Sequence, residues 1–373
     1  MSKSEFVFLS EEDMIKAGVL DAGRCVDVMV EMFGLVGQGD YIMGGPSQNE
    51  HGLKLFFPKE SPFPNMPLAG TDRRFMAMPA YLGGRFNICG CKWYGSNVEN
   101  PKQGLPRSVL TVMLNNPVTG EPVALLSANL VSAMRTGAIP GVAARFLARK
   151  NATRLTAVGG GPVNRGSVKC IASQIDTLVE VVIYDIKEEV ALKFKKFVEE
   201  ELSLRCTIAA SLEEAVSDAD VVVATVSSPT PVHVPDKWLK KGSLLILNNE
   251  LDLDESYLMS SKIVFDNAKM HKAYIDDCHM NPVGALAAYK NYIAGKVYTN
   301  IELGRLPSID KQVSLGDIAR DSTLGRKDDD ERIVVFTSGM PIEDVAWGYT
   351  IYESAMEMGL GTKLALWESP HWA

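Results

Sequence analysis

The sequence predicts an α/β protein in which a doubly wound, parallel-sheet domain is inserted into a sheet-rich α+β domain. Three observations predict it. From Ala152 onward, short β-branched runs at 154–158, 179–184, 206–209, 221–225, 244–247 and 262–265 alternate with helical segments, the signature of parallel strands joined by crossover helices. The first 130 residues are different: Gly, Pro and aromatic residues are frequent, and strand-like stretches at 86–94 and 108–114 are bounded by turn signals such as Asn116-Pro117 and Thr119-Gly120-Glu121-Pro122. Beyond these, a strand at 333–336 and a helix at 341–358 let the chain end return to pack on the first domain. The expected boundaries are 1–136 with 337–373 for the outer domain and 137–336 for the inserted one.

The connecting elements follow from local pattern. Residues 188–202 carry Val190, Ala191, Phe194 and Phe197 near the spacing of an amphipathic helix. A helix over 129–149, with Ser127 as N-cap and a kink at Pro140, joins the two domains. The charge-rich stretch 317–332 reads as a surface connection.

Composition narrows the function. The chain has 373 residues, enough for two to three domains, and 46 acidic against 38 basic side chains leave a net charge of -8. Nucleic-acid phosphate and anionic lipid would repel such a chain, which has no Lys/Arg run, so a small-molecule partner is expected and nucleic acid is not. The longest stretch without charge, 221–235, is interrupted by three prolines and too short to span a bilayer. An acidic N-terminal stretch (Glu5, Glu11, Glu12, Asp13) is unlike a signal peptide, which predicts a cytoplasmic protein. Six scattered cysteines predict free buried thiols, and the run Asp276-Asp277-Cys278-His279 lacks a second ligand group, so no metal is expected.

Gly159-Gly160-Gly161-Pro162-Val163-Asn164 follows the strand at 154–158 and opens a helix. In that context the first glycine allows a tight turn, the next lets the backbone approach a pyrophosphate, and the helix N-terminus supplies N–H donors. The third glycine position holds Asn164. Asp185, at the end of the second strand, suits adenosine ribose hydroxyls and repels a 2′-phosphate, which predicts NAD rather than NADP bound by a Rossmann-type domain. Gly159, Gly161, Val163, Asn164 and Asp185 are the candidate cofactor residues, with Thr225 and Ser227 following the fourth strand.

The segments Met78-Pro79-Ala80-Tyr81, Gly90-Cys91-Lys92-Trp93-Tyr94, Thr119-Gly120-Glu121-Pro122, Ser132-Ala133-Met134-Arg135-Thr136-Gly137-Ala138, Ser338-Gly339, Glu343-Asp344 and Gly359-Leu360-Gly361-Thr362-Lys363 carry a further signal. Through them the chain resembles the ornithine cyclodeaminase and mu-crystallin family over nearly its whole length, and is especially similar to a subgroup that takes its name from tyramine oxidase. The resemblance implies a homodimer whose outer domain binds substrate and dimerises. It also implies chemistry through an imine, and adds Ser338 to the cofactor set.

The resemblance places the pocket lysine at Lys92 and the carboxylate-binding arginine at Arg135, on the connecting helix. Without it, Lys92 reads as an edge-strand lysine reaching solvent, and Arg135 as a partner for Glu343 or Asp344. A second family arginine has no counterpart near 46–52, where Gln48 and His51 stand, and Met76 replaces the family glutamate. Arg74, with Arg73, is the candidate to supply the missing cation in a remodelled pocket. The family's proton-transferring aspartate falls on Asp252, with Glu250 in reserve. Three functions follow: an NAD-dependent amino- or imino-acid oxidoreductase, a cyclodeaminase-type lyase that releases ammonia with internally recycled NAD, and a non-catalytic ligand binder.

Overall fold

The computed structural model describes residues 3–226, 231–249 and 251–372. They form two compact units: one comprises the chain up to Asp21, Gly39–Arg135 and the chain from Met340; the other comprises Ala22–Gln38 and Thr136–Gly339.

The first unit is built on an eight-stranded sheet. Its order is Thr362–Trp367, Ser4–Leu9, Pro122–Ser127, Ser108–Asn115, Ile88–Ser96, Arg74–Leu82 and Tyr41–Met43, with Leu53–Phe56 also paired to Arg74–Leu82. All pairings are antiparallel except that of Ser4–Leu9 with Pro122–Ser127. Helix Pro341–Glu357 covers the central strands, as apolar alternation on one sheet face requires. Gly90 permits that approach, since a Cβ there would meet Val345 Cγ2 at 2.7 Å.

The second unit is a Rossmann-type α/β fold. Its parallel sheet runs Arg205–Ile208, Glu180–Tyr184, Arg154–Val158, Val221–Ala224, Leu244–Leu247, Ile333–Phe336, Lys262–Phe265 and Val313–Ser314. Strands covered on both faces explain the unbroken apolar runs such as Val221-Val222-Val223-Ala224, all four buried. The order reverses direction between Arg154–Val158 and Val221–Ala224, where sheets of this kind bind ligands beyond the strand ends.

Four expectations need correction. Helix Ala22–Gln38 belongs to the second unit, packed on Leu315–Arg320, although position in the chain suggests the first. Their contact is close because Gly37 faces Gly316: a Cβ on Gly37 would lie 2.4 Å from the Gly316 carbonyl oxygen. The expected surface connection at 317–332 therefore starts inside a helix, Leu315–Arg320, whose Ile318 is buried. Ser127 ends a strand and caps no helix; the start of Asn129–Leu147 is instead tied to the neighbouring strand by Asn129, which accepts from the Leu110 N–H and donates to the Ser108 carbonyl. Finally, Cys89 and Cys91 are half-buried, whereas the other four free thiols are buried as expected. Among the described residues no helix is long and apolar enough to cross a membrane.

Candidate active site

Lys92 lies in the middle of strand Ile88–Ser96, in register with Met78 on one side and Val112 on the other, so its side chain points to the helix-covered face. It is 3% exposed. Its Nζ donates to Asp344 Oδ2 at 2.9 Å and to Ser132 Oγ at 3.3 Å. One helical turn beyond Ser132 stands Arg135, also buried, whose Nη1 donates to Glu343 Oε2 at 2.5 Å and whose Nε lies 3.1 Å from Asp344 Oδ2. Pro341 opens the acid-bearing helix, and Glu343 and Asp344 occupy its first turn, where the helix dipole favours negative charge.

Two cations and two carboxylates, all buried, thus neutralise one another. Burial, followed by the like charge of Arg135, pushes the Lys92 ammonium down to about 8, and Asp344 keeps it from falling further. Burial opposes the charge on Arg135 too, but Asp344 and Glu343 outweigh it and raise its pKa, so the guanidinium stays protonated. Asp344 Oδ1 has no hydrogen-bond partner among the described residues, which leaves a buried acceptor for an incoming donor. Arg135 is thus paired with both acids, as its structural reading has it.

Arg74 stands outside this quartet. It is paired with Asp72, and its Cζ lies 6.0 Å from the centroid of the Tyr94 ring, while Lys92 Nζ lies 5.6 Å from the same ring. Tyr94 donates its hydroxyl hydrogen to Met76 Sδ at 3.1 Å.

In the second unit the glycine loop has the conformation its sequence implies. Gly159 has φ +91, and a Cβ there would meet the Thr225 carbonyl oxygen at 3.0 Å. Gly161 precedes helix Pro162–Ala172, and a Cβ there would meet nothing within 4 Å, so the space in front of the loop is open. Asp185 accepts from the Gly160 N–H at 2.8 Å and from the Lys187 N–H at 2.9 Å, which fixes its carboxylate against the loop. Val163 is half-buried on the first helical turn. Asn164 turns inward: its amide donates to the carbonyls of Val158 and Gly159, so it braces the turn in place of a third glycine. Thr225 Oγ1 is buried without a hydrogen-bond partner among the described residues, and Ser227 lies outside them.

Ser338 donates its N–H to Asp266 Oδ2 at 2.5 Å, as Gly339 does at 3.1 Å. Behind them Asp266 Oδ1 contacts His271 Nε2 at 3.0 Å, and His271 Nδ1 contacts the Tyr298 hydroxyl at 2.5 Å, all in the interior. Sequence reasoning missed this network, whose signal is an Asp directly after strand Lys262–Phe265 with a His five residues on.

Asp252 lies in the second unit on the short strand Leu251–Leu253, paired with Val232–Val234. Lys296 and His233 hold its carboxylate, His233 Nδ1 at 2.9 Å. Partial burial would raise its pKa, but those two partners lower it below the usual carboxylate range. Glu250 lies outside the described residues. In the run from Asp276 to His279, Asp276 pairs with Lys272 and His279 with Glu302, and among the described residues no three His, Cys, Asp or Glu are grouped to hold an ion.

The model of the ornithine cyclodeaminase/mu-crystallin family matches residues 20–359. The chain is 28% identical to N-((2S)-2-amino-2-carboxyethyl)-L-glutamate dehydrogenase of Staphylococcus aureus over 97% of its own length and 99% of that protein. It is 30% identical to alanine dehydrogenase of Archaeoglobus fulgidus, over 77% of this chain and 82% of that one. Among solved structures it resembles an archaeal alanine dehydrogenase dimer with bound NAD, with a TM-score of 0.75 and 27% identity over 97% of this chain and 100% of the other. It shares its fold with Delta(1)-pyrroline-2-carboxylate reductase of Thermococcus litoralis, solved with NADH and L-proline, at a TM-score of 0.76 and 23% identity over 96% and 99% of the two chains. The chain belongs to the ornithine cyclodeaminase/mu-crystallin family.

Proposed function

We propose that this protein is an NAD-dependent oxidoreductase acting on the C–N bond of a carboxylate-bearing amine or imine, as an amino-acid dehydrogenase or ketimine reductase does. The observation that carries the reading is the buried quartet of Lys92, Asp344, Arg135 and Glu343, which holds a lysine with a pKa of about 8 beside a permanently charged arginine. The names of the similar dehydrogenases support it.

The residues of the second unit fit NAD. The open space before Gly161, the braced turn at Gly159, the buried unpartnered Thr225 hydroxyl and the anchored Asp185 are what a dinucleotide requires. Gly159, Gly161, Val163, Asp185, Thr225 and Ser338 would hold it, and Asn164 acts through the loop. When bound, NAD supplies the acceptor for a hydride. In the amine-oxidising direction the carbon gives up hydride with two electrons, the nitrogen gives up a proton, and an imine results. Arg135 orients the substrate carboxylate, neutral Lys92 takes the nitrogen's proton, and Asp344 sets how readily Lys92 does so.

We assign the acid of the site to Asp344 in preference to Asp252, because Asp252 is committed to Lys296 and His233. That commitment disfavours a lyase relying on Asp252. The protein is a homodimer in this proposal. Leu53, Leu55, Phe75, Trp93 and Val109 are exposed, and strand alternation sets them on the face opposite Lys92; Phe75 and Trp93 stack with centroids 5.5 Å apart.

The test is to incubate the protein and NAD with a panel of amino acids while following NADH and ammonia together. NADH formed in step with amine consumption supports the oxidoreductase. Ammonia from ornithine without net NADH moves the protein to the lyase class, and NAD binding without turnover of any amine moves it to the binders.

A further inference from the structure

The sheet face that carries Lys92 holds a second cationic position that the quartet leaves unused. Antiparallel register sets Lys54 opposite Met76 and Met76 opposite Tyr94, which places these three side chains in one row across the face. On one side of that row lie Met78, Lys92 and Val112; on the other lie Phe56, Arg74 and Ser96. The Lys54 ammonium has no hydrogen-bond or ion-pair partner among the described residues. The residue as a whole is exposed, yet its ammonium end lies deep enough in the surrounding protein, and near enough to Arg74, that desolvation and then like charge hold it below its ordinary pKa.

Arg74 is itself only partly compensated. It shares Asp72 with Arg107, so one carboxylate serves two guanidiniums, and its Nε is buried without a hydrogen-bond partner among the described residues. Arg74 and Arg107 therefore share one acid, and Lys54 adds a further positive charge near Arg74, whereas the quartet around Lys92 is balanced two against two. The Tyr94 ring, approached by both Arg74 and Lys92, joins the two regions. Arg74 and the register partner of Lys92 are four residues apart along one strand, about 13 Å, and long side chains on both sides shorten the gap to the reach of a substrate a few carbons long.

We propose that the substrate carries a second carboxylate, received by Lys54 and Arg74 while Arg135 and Lys92 hold the reacting end; the substrate class is a dicarboxylic amino or imino acid. The proposal rests on the function proposed above, and takes its force from an uncompensated charge on the substrate face. A lysine on an edge strand can also serve only to discourage strand pairing, and such a lysine would leave ligand choice unmoved.

The experiment is calorimetric titration of the full-length protein, first with NADH and then, in the loaded state, with 2-oxoglutarate and with 2-oxobutyrate. The expected result is binding of 2-oxoglutarate at least ~10-fold tighter, the scale of one hydrogen bond to a charged group. That preference should vanish in Lys54→Met, return in Lys54→Arg, and leave 2-oxobutyrate affinity the same in all three proteins. Equal affinity for the two oxo acids with NADH bound overturns the second carboxylate site alone. A preference that survives in Lys54→Met also overturns it. Failure to take up NADH overturns the oxidoreductase reading itself, and the substrate class with it.

Discussion

Lys92 Nζ and Asp344 Oδ2 meet at 2.9 Å although 252 residues of chain separate them, one on a sheet strand and the other on the first turn of the helix laid over it. The pair is the physical basis for proton transfer at neutral pH. An unpaired ammonium at this depth would lose its proton, and a lysine paired without a competing arginine would keep it too firmly.

The first prediction concerns pH. Lys92 titrates near 8, below its ordinary 10.5, because the protein disfavours its charged form. Neutral Lys92 accepts the amine proton, so amine oxidation should rise as pH passes through about 8 and then level off. Imine reduction needs the charged form and should fall over the same range. Initial rates of NADH formation and consumption check both limbs, and Lys92→Ala should lose the limb with at least the roughly 100-fold contribution of a general acid or base.

Arg135 tests substrate grip. Replacement by Lys keeps one charge but removes the planar fork that serves Glu343, Asp344 and a carboxylate together. Affinity for a carboxylate inhibitor should fall by about 1.5–3 kcal/mol, measured by titration. Unchanged affinity would transfer the role to Arg74.

Cofactor choice depends on Asp185. Its carboxylate is pinned by two backbone N–H groups, so it cannot swing away from an added 2′-phosphate. NAD should bind more tightly than NADP, and Asp185→Ser should narrow the gap. NADP bound equally well by the unaltered protein would remove Asp185 from the cofactor set.

Much of this architecture is legible in the sequence because the parallel strands are buried on both faces: Arg154–Val158, Leu244–Leu247, Lys262–Phe265 and Ile333–Phe336 stand where their apolar runs begin and end. The unit to which helix Ala22–Gln38 belongs is not legible, because amphipathicity says that a helix packs and not what it packs on, and the decisive contact is a pair of glycines, Gly37 and Gly316, far apart in the chain. The quartet is legible only in part. Lys92 and Arg135 stand out through short motifs, and Glu343 and Asp344 are visible as partners for Arg135. That both acids are fully buried, with one of them bonded to Lys92, depends on the angle at which Pro341–Glu357 crosses the sheet, which no local pattern encodes.

The last prediction separates the two acids that could serve the lysine. Asp344→Asn keeps the size of the side chain but removes the negative charge that raises the Lys92 pKa, leaving burial and Arg135, which both lower it. The pH limb of amine oxidation should therefore move below about 8. Because Glu343 still compensates Arg135, the variant should remain folded, and circular dichroism checks that it does. Asp252→Asn, by contrast, alters a half-exposed carboxylate held by Lys296 and His233, and should leave the limb where it is while loosening only its local ion pairs. The measurement is the pH profile of kcat/KM for both variants beside the parent. A limb displaced by Asp252→Asn and unmoved by Asp344→Asn would reverse the assignment and restore the acid after the fifth strand of the nucleotide-binding unit as the group that governs proton transfer.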